Sequence, residues 1–326
     1  MVRVDACVTA LVTPMRGGEV DFERFRRLAE FQVANGVREV VVNGTTGESP
    51  ATSDAEKGKL IEVALDAGCR VVAGTGGNVT SHAERLTAQA QELGVKRCLL
   101  VDCYYNGPSS LELRREYYAP LCARFPEMRF TAYVIPARTG CELSVEDLAQ
   151  LHREFENFDA VKEATGNLDR MRRTRAECPG IAIMSGDDEV TLALLTDPLI
   201  RGNGVVATMS NVAPAGFSRL CSLAADVEGA RAFNDKLSQL FLATVKAGGQ
   251  KFRNPVPVKT VMAGLGMVDY GVRRPLGRLS REGVGFVRDA LRCVWRESPE
   301  LLEPVAEFFD VDIGERIEND VFWVSY

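Results

Sequence analysis

The sequence predicts an α/β fold, a (β/α)8 TIM barrel, followed by a C-terminal helical region. Three observations support this. Short apolar runs recur roughly every 22 to 32 residues, the segments between them have helical patterning, and helix-capping residues follow several runs. Eight units of similar length favour a closed parallel barrel over an open sheet. We assign residues 1–225 to the catalytic barrel and 226–326 to a C-terminal helical region with an extended tail.

The eight apolar runs are the predicted barrel strands. They begin near Val8, Glu39, Arg70, Arg97, Arg129, Asp159, Ile181 and Gly204. Serine three residues before an acidic residue is the signature of a helix N-terminal capping box. It occurs after four of the strands, at Ser53, Ser81, Ser109 and Ser144. Asp21 is the predicted cap of the first helix.

Beyond residue 226 the strand signal stops, and helices are predicted near 228–247, 256–266 and 281–296. The chain after about residue 297 forms a tail to which the sequence assigns no role.

The composition excludes several classes of function. The net charge of -6 argues against a nucleic-acid partner. Nine cysteines without paired spacing are typical of reduced thiols. The first twenty residues lack a signal-peptide pattern, and no apolar stretch approaches the roughly 18 residues of a membrane span. We therefore expect a cytoplasmic protein that binds neither membranes nor nucleic acid.

Lys162 lies in the sixth predicted strand, within an apolar run that ends in a glycine-containing turn. Burial disfavours the ammonium form and can lower a lysine pKa by several units from about 10.4. A neutral amine is the nucleophile that forms a Schiff base with a carbonyl substrate. The alternative is a structural lysine that pairs with a carboxylate such as Glu163. The segment alone leaves both interpretations open.

Barrel enzymes carry their chemistry at the C-terminal ends of the strands, so the residues there are further candidates. The segment 44–47 offers the threonine hydroxyl and backbone N–H groups that hold a carboxylate, although it could be a simple glycine turn. Tyr104, Tyr105 and Tyr133 lie on two strand ends, which favours proton transfer over ordinary core packing. Arg138 is either a surface residue or a two-point partner for a carboxylate.

The scarcity of some residue types makes further kinds of active site improbable. Only two histidines are present, His82 and His152, and both fall in helical stretches, which disfavours a catalytic triad or a histidine metal cluster. Asp187 and Asp188 could hold Mg²⁺, but we favour a first helical turn stabilised by the helix dipole. We predict no metal and no cofactor, which leaves a Schiff-base aldolase.

The sequence resembles the dihydrodipicolinate synthase and N-acetylneuraminate lyase family of class I aldolases over nearly the whole barrel and into the helical region. The matching segments are 11–14, 44–49, 74–76, 104–109, 136–140, 162–167, 185–188 and 254–259. Three of them, Arg138-Thr139-Gly140, Lys162-Glu163-Ala164-Thr165-Gly166 and Ser185-Gly186-Asp187-Asp188, resemble the synthase branch.

The resemblance implies that Lys162 forms an imine with pyruvate and that the resulting enamine attacks L-aspartate 4-semialdehyde. The product is 4-hydroxy-tetrahydrodipicolinate, in lysine and diaminopimelate biosynthesis. Tyr133 would be the central acid and base, and Thr45 would link it in a proton relay to Tyr105, which reaches the neighbouring subunit's site. The covalent imine would take the place of a cofactor.

The resemblance also implies substrate contacts and an assembly. Thr46, Gly186 and the backbone at Val206 would bind substrate, and Arg138 would guide the carboxylate of the aldehyde. A homotetramer of two tight dimers is the expected assembly.

Some positions depart from the family pattern. Cys103 stands where a proline usually occurs, and Val134 stands in place of an asparagine. In many relatives lysine binds an interface pocket as an inhibitor, and here the matching residues are Ser49, Lys57, Asn78, His82 and Tyr104. A cationic Lys57 and the lack of an acidic residue at position 82 would oppose a lysine ligand, so we expect weak or absent inhibition.

Two alternatives remain at this point. One is another pyruvate-dependent aldolase of the sugar-acid or N-acetylneuraminate lyase type. The other is a ligand-binding barrel that has lost turnover, although such a protein would need neither the amine of Lys162 nor a proton relay.

Overall fold

Eight parallel strands form a closed barrel in the computed structural model, which describes residues 6–326. The strands are β1 (Cys7–Ala10), β2 (Glu39–Val42), β3 (Arg70–Gly74), β4 (Arg97–Val101), β5 (Arg129–Val134), β6 (Phe158–Glu163), β7 (Ala182–Ser185) and β8 (Gly204–Ala207). Each strand begins within one residue of its predicted start. The predicted fold class is confirmed.

Alternation along the strands divides the apolar residues between two sides of the barrel wall. The interior is filled by one small cluster, whose members are Val8, Ala10, Val41, Val72, Leu99, Tyr133, Met184 and Val206. The residues between them, such as Val40 and Val134, face the surrounding helices and join the main core. The register of β5 and β6 sets Tyr133 beside Lys162, so both point into the barrel.

Within the described residues, eight helices surround the strands. They are α1 (Phe22–Ala34), α2 (Asp54–Asp66), α3 (Thr80–Glu92), α4 (the successive segments Ser110–Glu112, Leu113–Tyr118 and Ala119–Arg124), α5 (Val145–Glu154), α6 (Leu168–Glu177), α7 (Thr191–Thr196) and α8 (Pro214–Ser222). A further short helix, Pro136–Thr139, follows β5.

Most of the predicted helix caps are confirmed. Ser53 and Ser109 form complete capping boxes, and the side chains of Asp21 and Ser144 accept hydrogen bonds from the first turns of their helices. The prediction at Ser81 is wrong, because α3 begins at Thr80 and Ser81 lies inside its first turn.

The C-terminal region contains α9 (Val227–Ser238), α10 (Val256–Gly264), α11 (Arg281–Glu297), α12 (Glu303–Phe309) and α13 (Ile313–Glu318). The helix predicted through residue 247 is wrong at its end. Thr244–Ala247 and Gln250–Arg253 instead form an antiparallel hairpin. Its two-residue turn, Gly248-Gly249, has φ angles of 57° and 73°, a conformation that glycine adopts without steric cost.

The tail packs back onto the barrel. Phe308 and Phe309 each lie with their ring centroids 5.3 Å from that of Phe31 in α1. Arg27 of the same helix donates a hydrogen bond to the carbonyl of Phe308 at 3.0 Å. The tail therefore covers an apolar part of α1. None of the helices within residues 6–326 is long and apolar enough to cross a membrane.

Candidate active site

Lys162 projects from β6 into the barrel interior and is only 6% exposed. Its Nζ lies 4.2 Å from the centroid of the Tyr133 ring. It forms no salt bridge with any residue of the described chain. The amine is therefore buried without the carboxylate partner that a purely structural lysine would need.

Glu163 is not that partner. Strand alternation turns its side chain to the opposite face of β6, where its Oε2 accepts a hydrogen bond from Arg170 Nε at 3.0 Å. Burial raises the pKa of Glu163, although Arg170 opposes the shift. The pairing with Glu163 that the sequence left open is thus contradicted, because the two adjacent side chains lie on opposite sides of the barrel wall.

A cavity of about 570 Å³ opens at the C-terminal ends of the strands above Lys162. Six of the eight predicted catalytic and substrate-binding residues line it: Thr45, Thr46, Tyr133, Arg138, Lys162 and Gly186. Val206 is 4% exposed in the barrel interior, two residues before Thr208, which does line the cavity. The structure therefore brings together residues from five of the eight predicted strand ends or their loops.

The threonine loop, residues 43–48 after β2, is stabilised by contacts with two other parts of the chain. Thr13 Oγ1 donates to the carbonyl of Gly47 at 2.7 Å. Glu48, which has a φ of 57°, is buried in an ion pair with Lys259 of α10, and its second oxygen accepts from the backbone of Arg273 at 2.9 Å. Burial lowers the pKa of Lys259, while Glu48 opposes that shift. These contacts fix the two threonines at the cavity wall.

The predicted relay is not assembled within the described part of one chain. Thr45 and Tyr133 line the same cavity, yet their hydroxyl groups share no hydrogen bond there. Tyr105 is 86% exposed and lies outside the cavity. The relay therefore stays a prediction, and it needs Tyr105 to come from another copy of the chain.

Arg138 lies in the short helix after β5 and reaches across to the C-terminal region. Its Nη2 donates to the carbonyl of Asn254 at 3.1 Å. Burial lowers its pKa, and Arg253 adds to this effect by like-charge repulsion. A guanidinium held in this way at the cavity wall can receive a substrate carboxylate.

The prediction that both aspartates after β7 stabilise a helical first turn is correct for Asp187 only. Asp187 accepts from the backbone N–H of Glu189 at 3.1 Å. Asp188 is instead buried and accepts from the backbone N–H groups of Thr208 and Met209, at 3.0 Å and 2.9 Å. Burial raises the pKa of Asp188 to about 6, although those hydrogen bonds oppose the shift. Asp188 thus joins the end of β7 to the end of β8.

A second cavity of about 380 Å³ shares four lining residues with the first: Thr45, Tyr133, Ile135 and Arg138. All five residues predicted for an interface pocket line it: Ser49, Lys57, Asn78, His82 and Tyr104. The Lys57 amine donates to the carbonyl of Thr52, and burial lowers its pKa.

Asp54 is a lining residue of this second cavity that the sequence analysis missed. Its Oδ1 lies 2.9 Å from His82 Nε2, and this hydrogen bond lowers the pKa of Asp54. The cavity therefore contains a carboxylate after all. Asp54 follows the helix cap Ser53, so its sequence position indicates only a stabilised first turn.

The two departures from the family pattern lie outside both cavities. Val134 is fully buried among the outer residues of the barrel wall. Cys103 is buried, its carbonyl accepts from Cys141 Sγ at 2.8 Å, and burial raises the pKa of its thiol to about 12.

The hairpin forms a wall of the active-site cavity, which was not predicted from the sequence. Thr244, Lys246, Lys251 and Arg253 all line it. The Gly-Gly pair between two short alternating segments was the signal for this hairpin. Within residues 6–326, no group of three or more histidine, cysteine or acidic side chains is arranged to hold a metal ion.

Comparisons with known proteins agree with this geometry. The sequence model of the "Dihydrodipicolinate synthetase family" matches residues 3–293. The chain is 35% identical over 291 residues to the 4-hydroxy-tetrahydrodipicolinate synthase of Hydrogenobaculum sp., covering 87% of this chain and 97% of the relative. It is 38% identical over 283 residues to the enzyme of that name from Syntrophus aciditrophicus, covering 84% of this chain and 92% of the relative.

A solved structure extends the comparison to three dimensions. The crystal structure of dihydrodipicolinate synthase from Aquifex aeolicus superposes with a TM-score of 0.84 at 35% sequence identity, covering 92% of this chain and 99% of the other. Sequence and fold therefore agree over most of the molecule, and the chain belongs to the dihydrodipicolinate synthetase family.

Proposed function

We propose that this protein is a pyruvate-dependent class I aldolase that condenses pyruvate with L-aspartate 4-semialdehyde to 4-hydroxy-tetrahydrodipicolinate, a step of lysine and diaminopimelate biosynthesis. One observation carries the proposal. The Lys162 amine is buried beside Tyr133 without a carboxylate partner in the described chain, at the base of a cavity that also contains Arg138. Family membership supports the same reaction.

The reaction begins at Lys162. Its amine attacks the keto carbon of pyruvate, and loss of one water molecule gives an imine. The imine withdraws electrons from the adjacent methyl carbon, so this carbon loses a proton and becomes an enamine nucleophile. The imine supplies the electron sink, and the reaction needs no separate cofactor. We assign the proton transfers to Tyr133 because its ring lies 4.2 Å from the amine.

The aldehyde enters from the open side of the cavity. Its carboxylate would bind Arg138 while the enamine carbon attacks the aldehyde carbon, whose oxygen takes up a proton. The amino group of the semialdehyde then attacks the imine carbon, closes the ring and displaces the Lys162 amine. One water molecule is released overall. Thr46 and the backbone at Val206 would position pyruvate, and Thr45 would pass protons to and from Tyr133.

We further propose a homo-oligomer in the cytoplasm, built as a tetramer of tight dimers. The exposed Tyr105 supports this assembly, because the relay lacks a residue within one chain. The nine free cysteines are compatible with a reducing compartment.

A steady-state assay of purified protein with pyruvate and a panel of aldehydes tests the proposal. We expect aspartate semialdehyde to be the preferred acceptor, and Tyr133→Phe to lower kcat about 10²- to 10⁴-fold. Tyr326→Phe, at an exposed tyrosine outside the cavity, is the matched control. A preference for N-acetylmannosamine or a sugar-derived aldehyde would instead assign the lyase alternative. No turnover with any aldehyde would favour a binding protein.

A further inference from the structure

The hairpin that borders the active-site cavity has two chemically different faces. Cross-strand pairing sets Lys246 opposite Lys251 and Thr244 opposite Arg253. These residues therefore lie on one face, which lines the cavity. The alternate residues, among them the buried Val245, form the other face, which packs towards α11. The hairpin thus turns a cationic face to the site.

This arrangement of charge is costly without an anion. Like charges directly opposite each other destabilise an antiparallel pair. Lys246, Lys251 and Arg253 nevertheless form no salt bridge with the part of the chain that the structure describes. Arg253 Nη1 donates to the carbonyl of Ala137 at 3.1 Å, which fixes the guanidinium next to the segment that carries Arg138.

Asp187, Asp188 and Glu189 also line this cavity, but within residues 6–326 none of them forms a salt bridge with these cations. Asp187 is engaged with the N–H of Glu189, and Asp188 with two N–H groups at the start of the turn after β8. One terminal N–H group of Arg138 already donates a hydrogen bond to the carbonyl of Asn254. The cavity mouth therefore has unpaired positive charge in a protein whose net charge is -6.

We propose that Lys246, Lys251 and Arg253 form an anion subsite that binds the carboxylate of the acceptor aldehyde, at the end remote from its carbonyl group, together with Arg138. This assignment rests on the proposed function. Pyruvate is held deep in the barrel at Lys162, so the hairpin at the mouth selects the second substrate. An anionic acceptor is favoured over a neutral sugar aldehyde by attraction on entry and by hydrogen bonds once bound.

The test compares three proteins: the wild type, Lys246→Gln/Lys251→Gln, and Lys59→Gln/Lys96→Gln. The last removes the same charge from exposed positions outside the cavity. We expect the hairpin variant to raise KM for aspartate semialdehyde about tenfold, the effect of losing one charged hydrogen bond. Its kcat should stay within about twofold of wild type. The control should match wild type, and an unchanged acceptor KM in the hairpin variant would overturn the proposal.

A binding measurement separates this proposal from the proposed function. Each protein is treated with pyruvate and borohydride, which blocks Lys162 with a reduced adduct, and is then titrated with succinate in a calorimeter. We expect the hairpin variant to bind succinate about tenfold more weakly than wild type and control. If the wild type forms no adduct, the proposed function fails, and the same titration of untreated protein still decides the subsite.

Two further outcomes would overturn the subsite. One is equal succinate binding, or none, by wild type and hairpin variant. The other is a changed oligomer mass in light scattering with unchanged succinate affinity, which would assign the lysines to a contact between subunits.

Discussion

Replacing Gly186 with alanine would push a methyl group against the stem of Lys162. A Cβ built at Gly186 lies 2.7 Å from the Cβ of Ala164, and 3.0 Å and 3.1 Å from Cε and Cγ of Lys162. Carbon atoms normally approach to about 3.5–4.0 Å, so the shortfall is roughly half an ångström or more at each contact. The Gly186 backbone cannot move away from Lys162 without loss, because its N–H donates a hydrogen bond to the carbonyl of Glu163 at 2.8 Å.

The flexible lysine stem is the part that will yield, and its amine will move with it. A displacement of about 1 Å in a reacting group can cost about 10²-fold in rate. We therefore expect Gly186→Ala to slow imine formation with pyruvate by about 10- to 100-fold. The added methyl should cost about 1–3 kcal/mol of folding stability, as overpacking does elsewhere. The protein should remain folded and be catalytically impaired.

The assay is the rate of pyruvate-dependent labelling by borohydride, followed by intact mass spectrometry. Gly285→Ala is the control, because a Cβ at that glycine meets no atom within 4 Å. Ala164→Gly/Gly186→Ala should recover part of the rate by removing the shortest contact. Labelling of Gly186→Ala at the wild-type rate would refute the argument that this glycine makes room for the lysine.

Three other predictions concern stability and regulation. Lys259→Met leaves the buried Glu48 without its ion-pair partner, so the free energy of unfolding should fall by about 3–5 kcal/mol. Urea denaturation measures this, and a loss below about 1 kcal/mol would contradict the prediction. Arg273 lowers the pKa of Glu56 from 4.5 to about 2, so the stabilisation by Glu56 is complete above pH 4.5 and lost as the pH falls towards 2. Glu56→Gln should thus cost about 1–2 kcal/mol at pH 7, because solvent screens this partly exposed pair, and urea titrations should show that cost shrinking below pH 4.5. L-lysine should inhibit weakly or not at all in steady-state assays, because Lys57 places a cation in the second cavity and the Asp54 carboxylate there is already paired with His82. Micromolar inhibition would contradict this.

The barrel was predictable because its signals are local and repeated. Each strand is a bounded apolar run, and alternation alone sends Lys162 inward and Glu163 outward once the strand is recognised. The strand ends then converge at one rim, which accounts for the meeting of Thr45, Tyr133, Arg138 and Lys162 in one cavity.

Other features depend on distant contacts that no local pattern encodes. The role of Asp188 is set by backbone groups of Thr208 and Met209, about twenty residues away. The threonine loop is held by Lys259, 211 residues beyond Glu48. The hairpin had a local signal in Gly248-Gly249, but its strands are only four residues each and follow directly on a helical pattern.

In the proposed reaction, Lys162 is the nucleophile that captures pyruvate. The most direct test is intact mass spectrometry and peptide mapping after treatment with pyruvate and borohydride, on wild type and Lys162→Ala. We predict one reduced pyruvate adduct per chain, located on Lys162 and missing from the variant. A folded wild type without an adduct, or an adduct on another residue, would contradict the claim.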